Sequence, residues 1–319
     1  MRLGLNLAVF GDRSLEAALD RAVALGLDAV ELNAETGDPL TGGAEGLQQG
    51  GAKAVREAVS SRGLAISGLG NHAEVQLIGG PHHEDTDRFF AGSPAEKIAF
   101  GKRRLIETAR AALELGVTTV VGFVGCDDWS RWFPWPDPTG FEKMIPRFAE
   151  TWGPLLDQLQ ALGVRFAHEP HPKQLVYDLE SALAVTSALG GHPAWGFNLD
   201  TANLSLSGVD PCAFIDALPD RIFHVHAKDL EFVPHNMARS GWQGHGAWDR
   251  PDRGVRFRVP GWGNVAWKSV ISQLQLAGYA GVLSIEHEDP ILSRDEGSQM
   301  AVAFLRPIVP RQPRDPRWW

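Results

Sequence analysis

The sequence predicts an α/β chain whose eight βα units close into one (β/α)8 barrel, on three observations. Short apolar or β-prone runs alternate along the chain with amphipathic helical stretches. Several of those stretches end at a glycine that leads into the next run, as at Gly26, Gly63 and Gly163. Four runs end in a side chain able to bind a metal or carry a proton: Phe166-Ala167-His168-Glu169, Gly196-Phe197-Asn198-Leu199-Asp200, Ile222-Phe223-His224-Val225-His226 and Leu283-Ser284-Ile285-Glu286. In a parallel barrel these ends share the face where the chemistry sits. An open doubly wound sheet is the other arrangement of such units. It calls for a glycine-rich phosphate turn after the first strand, and Ala8-Val9-Phe10-Gly11-Asp12 is not one.

Taken in order, Leu3–Leu7 reads as the first strand, and Ser14 caps a helix running to about Leu25, with Leu15, Ala18, Leu19, Ala22 and Leu25 on one face. Asp28–Leu32 is the second strand, Gln49–Arg62 a helix and Leu64–Leu69 the third strand. A long polar loop follows, with Asn71-His72 at its start and His82-His83 read as surface residues. Ser93-Pro94-Ala95-Glu96 is a capping-box start for a helix reaching Leu115. Val117–Phe123 is strand four; its loop carries Trp129, Trp132, Phe133 and Trp135. A helix over Phe148–Leu162 leads to strand five, ending at Glu169, and a helix over Asp178–Leu189 to strand six, ending at Asp200. Pro211–Leu218 is a short helix and Ile222–Ala227 strand seven. Lys228–Gly263 reads as a second long loop, with Trp242, Trp248, Trp262 and several arginines. A helix over Trp267–Ala277, strand eight at Val282–Glu286 and a helix from about Ser298 complete the eight units. The barrel is expected over residues 1–306, with 307–319 a non-helical tail whose Trp318-Trp319 pack on the barrel or a partner.

A net charge of −9 disfavours a long contact with a nucleic-acid backbone. No run has the length of uncharged apolar residues that a membrane span needs. Two cysteines, Cys126 and Cys212, make no disulfide framework, so a reducing, cytoplasmic setting is expected.

Two Glu, one Asp and one His form a hard ligand set suited to Mn²⁺ or Mg²⁺, with Co²⁺ possible. A six-coordinate ion held by Glu169, Asp200, His226 and Glu286 keeps positions open for a carbonyl and its neighbouring hydroxyl. One Glu can then remove the proton beside the carbonyl while the other returns one. Strand alternation puts His224, His226 and Lys228 on one face, with His224 as a hydrogen-bonded core residue that orients the site. Lys228 either reaches a substrate oxygen or pairs with Asp229 or Glu231. Glu288 falls at the rim beside Glu286. Eleven Trp against two Tyr is an unusual balance. Indoles of the two loops, Trp132 and Trp262 among them, offer flat surfaces for a sugar, although packing within the loops accounts for them equally well. The arginines between Arg250 and Arg258, interspersed with aspartate, read as a solvated loop.

At these residues the chain resembles the sugar phosphate isomerase/epimerase family of xylose isomerase-like barrels, which includes D-tagatose 3-epimerase and inosose dehydratase. The resemblance rests on Glu169-Pro170-His171-Pro172, Gly196–Asp200, Asp220–Asp229 and Gly278–Asp289. It implies a divalent metal, commonly Mn²⁺, on Glu169, Asp200, His226 and Glu286, with Glu169 and Glu286 as the proton-transfer pair. It also implies substrate contacts from His72 and His171. Where the family reads Asp-x-x-His, this chain has Asp200-Thr201-Ala202-Asn203, and Asn203 is expected to hydrogen-bond a hydroxyl instead. The epimerases tend to carry an arginine a few residues after the strand-seven histidine, and Phe232 and its neighbours offer none. The expected function is a metal-dependent keto-sugar isomerase or epimerase, active on a small-molecule sugar, with a homo-oligomer as one option for its assembly. A lyase or dehydratase acting on a keto-sugar, a 3-keto-glycoside or an inosose is the alternative. An endonuclease IV-like nuclease and a non-catalytic sugar-binding barrel are readings of other classes.

Overall fold

A computed structural model describes residues 1–312; Trp318 and Trp319 lie outside the described residues. Eight parallel strands close into a barrel: β1 (Arg2–Asn6), β2 (Ala29–Asn33), β3 (Ala65–Gly70), β4 (Thr119–Gly122), β5 (Arg165–His168), β6 (Trp195–Asp200), β7 (Ile222–Ala227) and, after a two-stranded insert, β10 (Val282–Ile285). Closure runs through β1, which pairs β2 on one side and β10 on the other, so the open sheet is excluded. Among the described residues no helix is long and apolar enough to cross a membrane.

Local chemistry fixes the helices. Ser14 accepts from the Ala17 amide and starts the helix Leu15–Ala24. Ser93 and Glu96 close a capping box around Pro94 at the head of Pro94–Leu115, and Gly116 ends that helix in the left-handed conformation at φ 79°. Strand alternation divides the side chains. On β5 and β6, Phe166, Trp195 and Phe197 face outward, where Trp152 from the helix Met144–Ala161 packs against Phe166 with ring centroids 4.9 Å apart. His168 joins this aromatic layer, stacked 5.8 Å from Trp195, and burial pushes its pKa down to about 4. The positions between them, Asn198 and Asp200, turn inward.

The structure moves several expected boundaries. The helix read from Gln49 begins at Ala52, because Gly50 at φ 105° breaks the turn before it. The helix read from Phe148 begins four residues earlier at Met144, and the last helix begins at Arg294 behind the Ser293 cap rather than at Ser298. A short helix, Thr201–Leu206, follows β6 directly, capped by Asp200. The largest correction concerns Lys228–Gly263, which folds as an insert: β8 (Asp229–Phe232) and β9 (Val255–Arg258) pair antiparallel, with a helix Pro234–Ser240 between them. Leu230, Val255 and Phe257 pack on Ala202 and Leu206 in a small core of their own. Asp229 anchors the insert by accepting from the Gly261 and Val265 amides and the Trp267 indole at 2.9–3.0 Å. The arginines here are not simply solvated: Arg258 pairs with Glu231 and Asp289 at 2.8 Å, and Arg253 is buried under Trp248. His82 is half-buried and donates from Nε2 to the Leu77 carbonyl at 2.9 Å, so it is not a free surface residue. In the tail, Val309 is buried and the Pro310 carbonyl accepts from the Met1 amino group at 3.0 Å.

Candidate metal centre

Glu169, Asp200, His226 and Glu286 converge at the carboxyl ends of β5, β6, β7 and β10, with potential ligand atoms all within 4.8 Å of one another. Each strand end delivers its residue on the inward phase of the alternation, which is why four separate elements meet at one point. His226 Nδ1 stands 2.9 Å from Glu169 Oε2, 3.3 Å from Glu286 Oε2 and 4.0 Å from Asp200 Oδ2.

The donor set fits a divalent cation on its own chemistry. Among the described residues, buried His226 Nδ1 and Asp200 Oδ2 have no hydrogen-bond partner. The nearest candidates, Glu169 for the imidazole and Lys228 for the carboxylate, lie at 2.9 and 3.0 Å but outside hydrogen-bonding angles. Buried polar atoms are rarely left so, and two unpartnered atoms facing one centre suit a shared cation. Three carboxylates with one imidazole are hard ligands of the kind that hold Mn²⁺ or Mg²⁺.

Glu169 is the most thoroughly held of the four. It accepts from Asn198 Nδ2 at 2.8 Å and Asn203 Nδ2 at 2.7 Å, and His72 Nε2 lies 3.2 Å away. Burial opposes its charge, but the histidines, His226 above all and then His72, outweigh that and hold its pKa well below the carboxylate range. Asp200 goes the other way: burial, with Glu169 and Glu286 crowding it, overrides Lys228 and pushes its pKa up to about 8. Against burial, Lys228 and His226 pull Glu286 down to about 2. Carboxylates from Glu31, Glu286 and Glu169 likewise overcome burial to raise His226 well above its usual value.

Two expected substrate contacts have other partners. Asn203 gives its amide to Glu169 and its backbone N–H to Asp200 at 2.7 Å, which secures two of the candidate ligands instead of reaching into the pocket. Lys228 bridges Glu286 at 2.6 Å, Asp200 at 3.0 Å and Glu288 at 3.0 Å, rather than pairing with Asp229 or Glu231. His72 and His171 line one side, with Phe123 between them at ring distances of 4.8 and 5.0 Å. Trp132 packs on Trp129 and Phe133, and Trp262 lies under Arg258. The aromatic path that reaches the site runs instead from Lys228 to Phe257, 4.6 Å from its ammonium, and on to Trp248, stacked on Phe257 at 4.7 Å.

Sequence reasoning missed Glu31, Asn198, Phe123 and Phe257. Glu31, fully buried on β2, faces His224 and His226 at 2.9 and 3.0 Å and accepts from Ser284 Oγ at 2.7 Å. A lone carboxylate inside the apolar run Ala29-Val30-Glu31-Leu32 was the available signal, since it demands buried donors.

A family model described as xylose isomerase-like TIM barrel matches residues 19–308. YfiH of Bacillus subtilis (strain 168) is 31% identical over 162 residues, 50% of this chain and 51% of that protein. Inosose dehydratase of Lacticaseibacillus casei is 35% identical over 92 residues, 28% of this chain and 30% of its own length. The matched part thus spans about half the length of one curated relative and under a third of the other. A solved structure of IOLI protein with a bound zinc atom superposes with a TM-score of 0.68 at 19% identity, covering 97% of this chain and 98% of that one.

Proposed function

We propose that this chain, which belongs to the xylose isomerase-like TIM barrel family, is a divalent-metal-dependent enzyme that removes a proton beside the carbonyl of a sugar and returns one, as an isomerase or epimerase. The observation that carries the reading is the meeting of four ligand atoms within 4.8 Å, two of them otherwise orphaned. Glu169, Asp200, His226 and Glu286 would hold the ion; Mn²⁺ suits these donors, and the zinc in the IOLI structure supports a divalent metal in this fold. Bound there, the ion would act as a Lewis acid on a carbonyl and its neighbouring hydroxyl.

The chain's own residues supply the rest. Glu169 and Glu286 form the proton-transfer pair, and they are held differently. Glu169 is fixed by side-chain amides and histidines, whereas Glu286 retains 18% side-chain exposure and is paired with the ammonium of Lys228. Lys228 stabilises negative charge at Glu286 and at any substrate oxygen that approaches it. Phe123, Phe257 and Trp248 supply apolar walls for the C–H face of a sugar and exclude water. Free sugars or glycosides suit these walls better than phosphosugars, because Arg253 and Arg258 are consumed by internal contacts.

A second reading, a dehydratase or other lyase, begins with the same proton abstraction and ends by expelling a β-hydroxyl. It is favoured by the likeness to inosose dehydratase and by Asn203 standing where an imidazole is expected. Incubating the Mn²⁺-loaded protein with ketoses, inososes and 3-keto-glycosides in D₂O, followed by NMR, tests both. A deuterated epimer or isomer supports the first and an unsaturated or dehydrated product the second. Metal-loaded, folded protein that exchanges no proton in any of these substrates would overturn the proposal.

A further inference from the structure

Glu31 is a carboxylate buried inside the barrel that the proposed mechanism does not use. It sits on β2, on the opposite side of the His226 ring from the candidate ligands, and three side chains converge on it. His224 Nε2 is 2.9 Å from Oε2, His226 Nε2 is 3.0 Å from both oxygens, and Ser284 Oγ donates at 2.7 Å. Ser284 is placed for this by register, since it pairs directly with His226 across β10 and β7. A buried carboxylate without partners is strongly unfavourable, and these contacts satisfy it.

Glu31, His224 and His226 also have ligand atoms within 4.8 Å of one another, which raises the question of a second ion there. The pairing argues against it. Both ring nitrogens meet hydrogen-bonding geometry with Glu31 oxygens at 2.9–3.0 Å, and, unlike His226 Nδ1 and Asp200 Oδ2, no ligand atom here is left without a partner among the described residues.

The contact has a directional consequence. A histidine that donates from Nε2 to a carboxylate keeps its lone pair on Nδ1 and has its ring plane fixed. His226 Nδ1 is the orphaned atom that faces Glu169, Asp200 and Glu286. We infer that Glu31 is a positioning residue: it holds the proton of His226 on Nε2 and aims Nδ1 at the metal centre, with His224 and Ser284 holding Glu31. This rests on the metal-site reading above.

The test uses the full chain with ¹⁵N-labelled histidine, loaded with Zn²⁺, and long-range ¹H–¹⁵N correlation. His226 is expected to carry its proton on Nε2, in a hydrogen-bonded downfield position, with Nδ1 unprotonated. In Glu31→Gln, Mn²⁺ affinity should fall about 10–100-fold, the usual effect of losing a partner behind a metal ligand, and the Nε2 proton should leave that position. A His226 protonated on Nδ1 in the wild type overturns the inference even if Glu31→Gln fails to fold. So does a folded Glu31→Gln with wild-type affinity and an unchanged His226 spectrum. Wild-type protein that binds neither Zn²⁺ nor Mn²⁺ would instead bring down the metal-site reading itself, and this inference with it.

Discussion

The two glutamates of the centre sit in opposite surroundings. Glu169, at the end of β5, is 2% exposed and is held by the amides of Asn198 and Asn203, with His72 and His226 beside it. Glu286, past the end of β10, is partly exposed and paired chiefly with Lys228, which also touches Asp200 and Glu288. One side of the site is a fixed scaffold and the other a charged, more open edge beside the insert. A carboxylate that must hold an ion gains from rigid donors, whereas one that passes a proton to substrate needs room and a tunable neighbour. The contrast gives the two residues separable roles, and each role can be attacked alone.

Glu169→Gln should do the most harm. It weakens a ligand and removes a proton carrier, while two side-chain amides are left donating to another amide; turnover is expected to fall at least ~10³-fold, with metal content reduced. Equal loss of both quantities in Glu286→Gln would erase the distinction between the sides. That variant should instead keep part of its metal, because the amide oxygen still coordinates, and lose turnover by at least ~10²-fold. Wild-type turnover in metal-loaded Glu286→Gln would show that it carries no proton.

Asn203→Ala sharpens the scaffold side. Removing a hydrogen bond to a buried charged group should lower unfolding free energy by about 1.5–3 kcal/mol, measured by urea titration. Activity should drop far less than in Glu169→Gln, since Asn198 and the histidines remain; unchanged stability would mean that the Asn203 amide does not hold Glu169. The smallest effect is expected at Trp248→Ala, on the open side, where loss of the stack on Phe257 should raise KM by about 5-fold with little change in kcat. A fall in kcat alone would point away from a substrate wall.

The four candidate ligands were legible in the sequence because parallel strands put inward side chains at fixed periods, so a run ending in Glu, Asp or His already states a position and a face. Glu31 was not, because it sits within its strand rather than at its end, and its partners His224, His226 and Ser284 come from strands distant in sequence. The same long separation hid Asn203: beside Asp200 in the chain, it invites a substrate role, and only the fold shows Glu169 within reach of its amide. Of the insert, Asp229-Leu230-Glu231-Phe232 and Val255-Arg256-Phe257-Arg258 do alternate with period two. The glycine- and proline-rich stretch between them obscured the pairing, which depends on Asp229 gathering donors from Gly261, Val265 and Trp267.

The central claim is that a divalent ion sits among Glu169, Asp200, His226 and Glu286. Asp200 tests it most directly, since its Oδ2 is fully buried and lacks a hydrogen-bond partner among the described residues. Equilibrium dialysis against Mn²⁺ followed by elemental analysis should find about one ion per chain in the wild type and little in Asp200→Asn. A folded Asp200→Asn protein retaining the wild-type metal content would contradict the account.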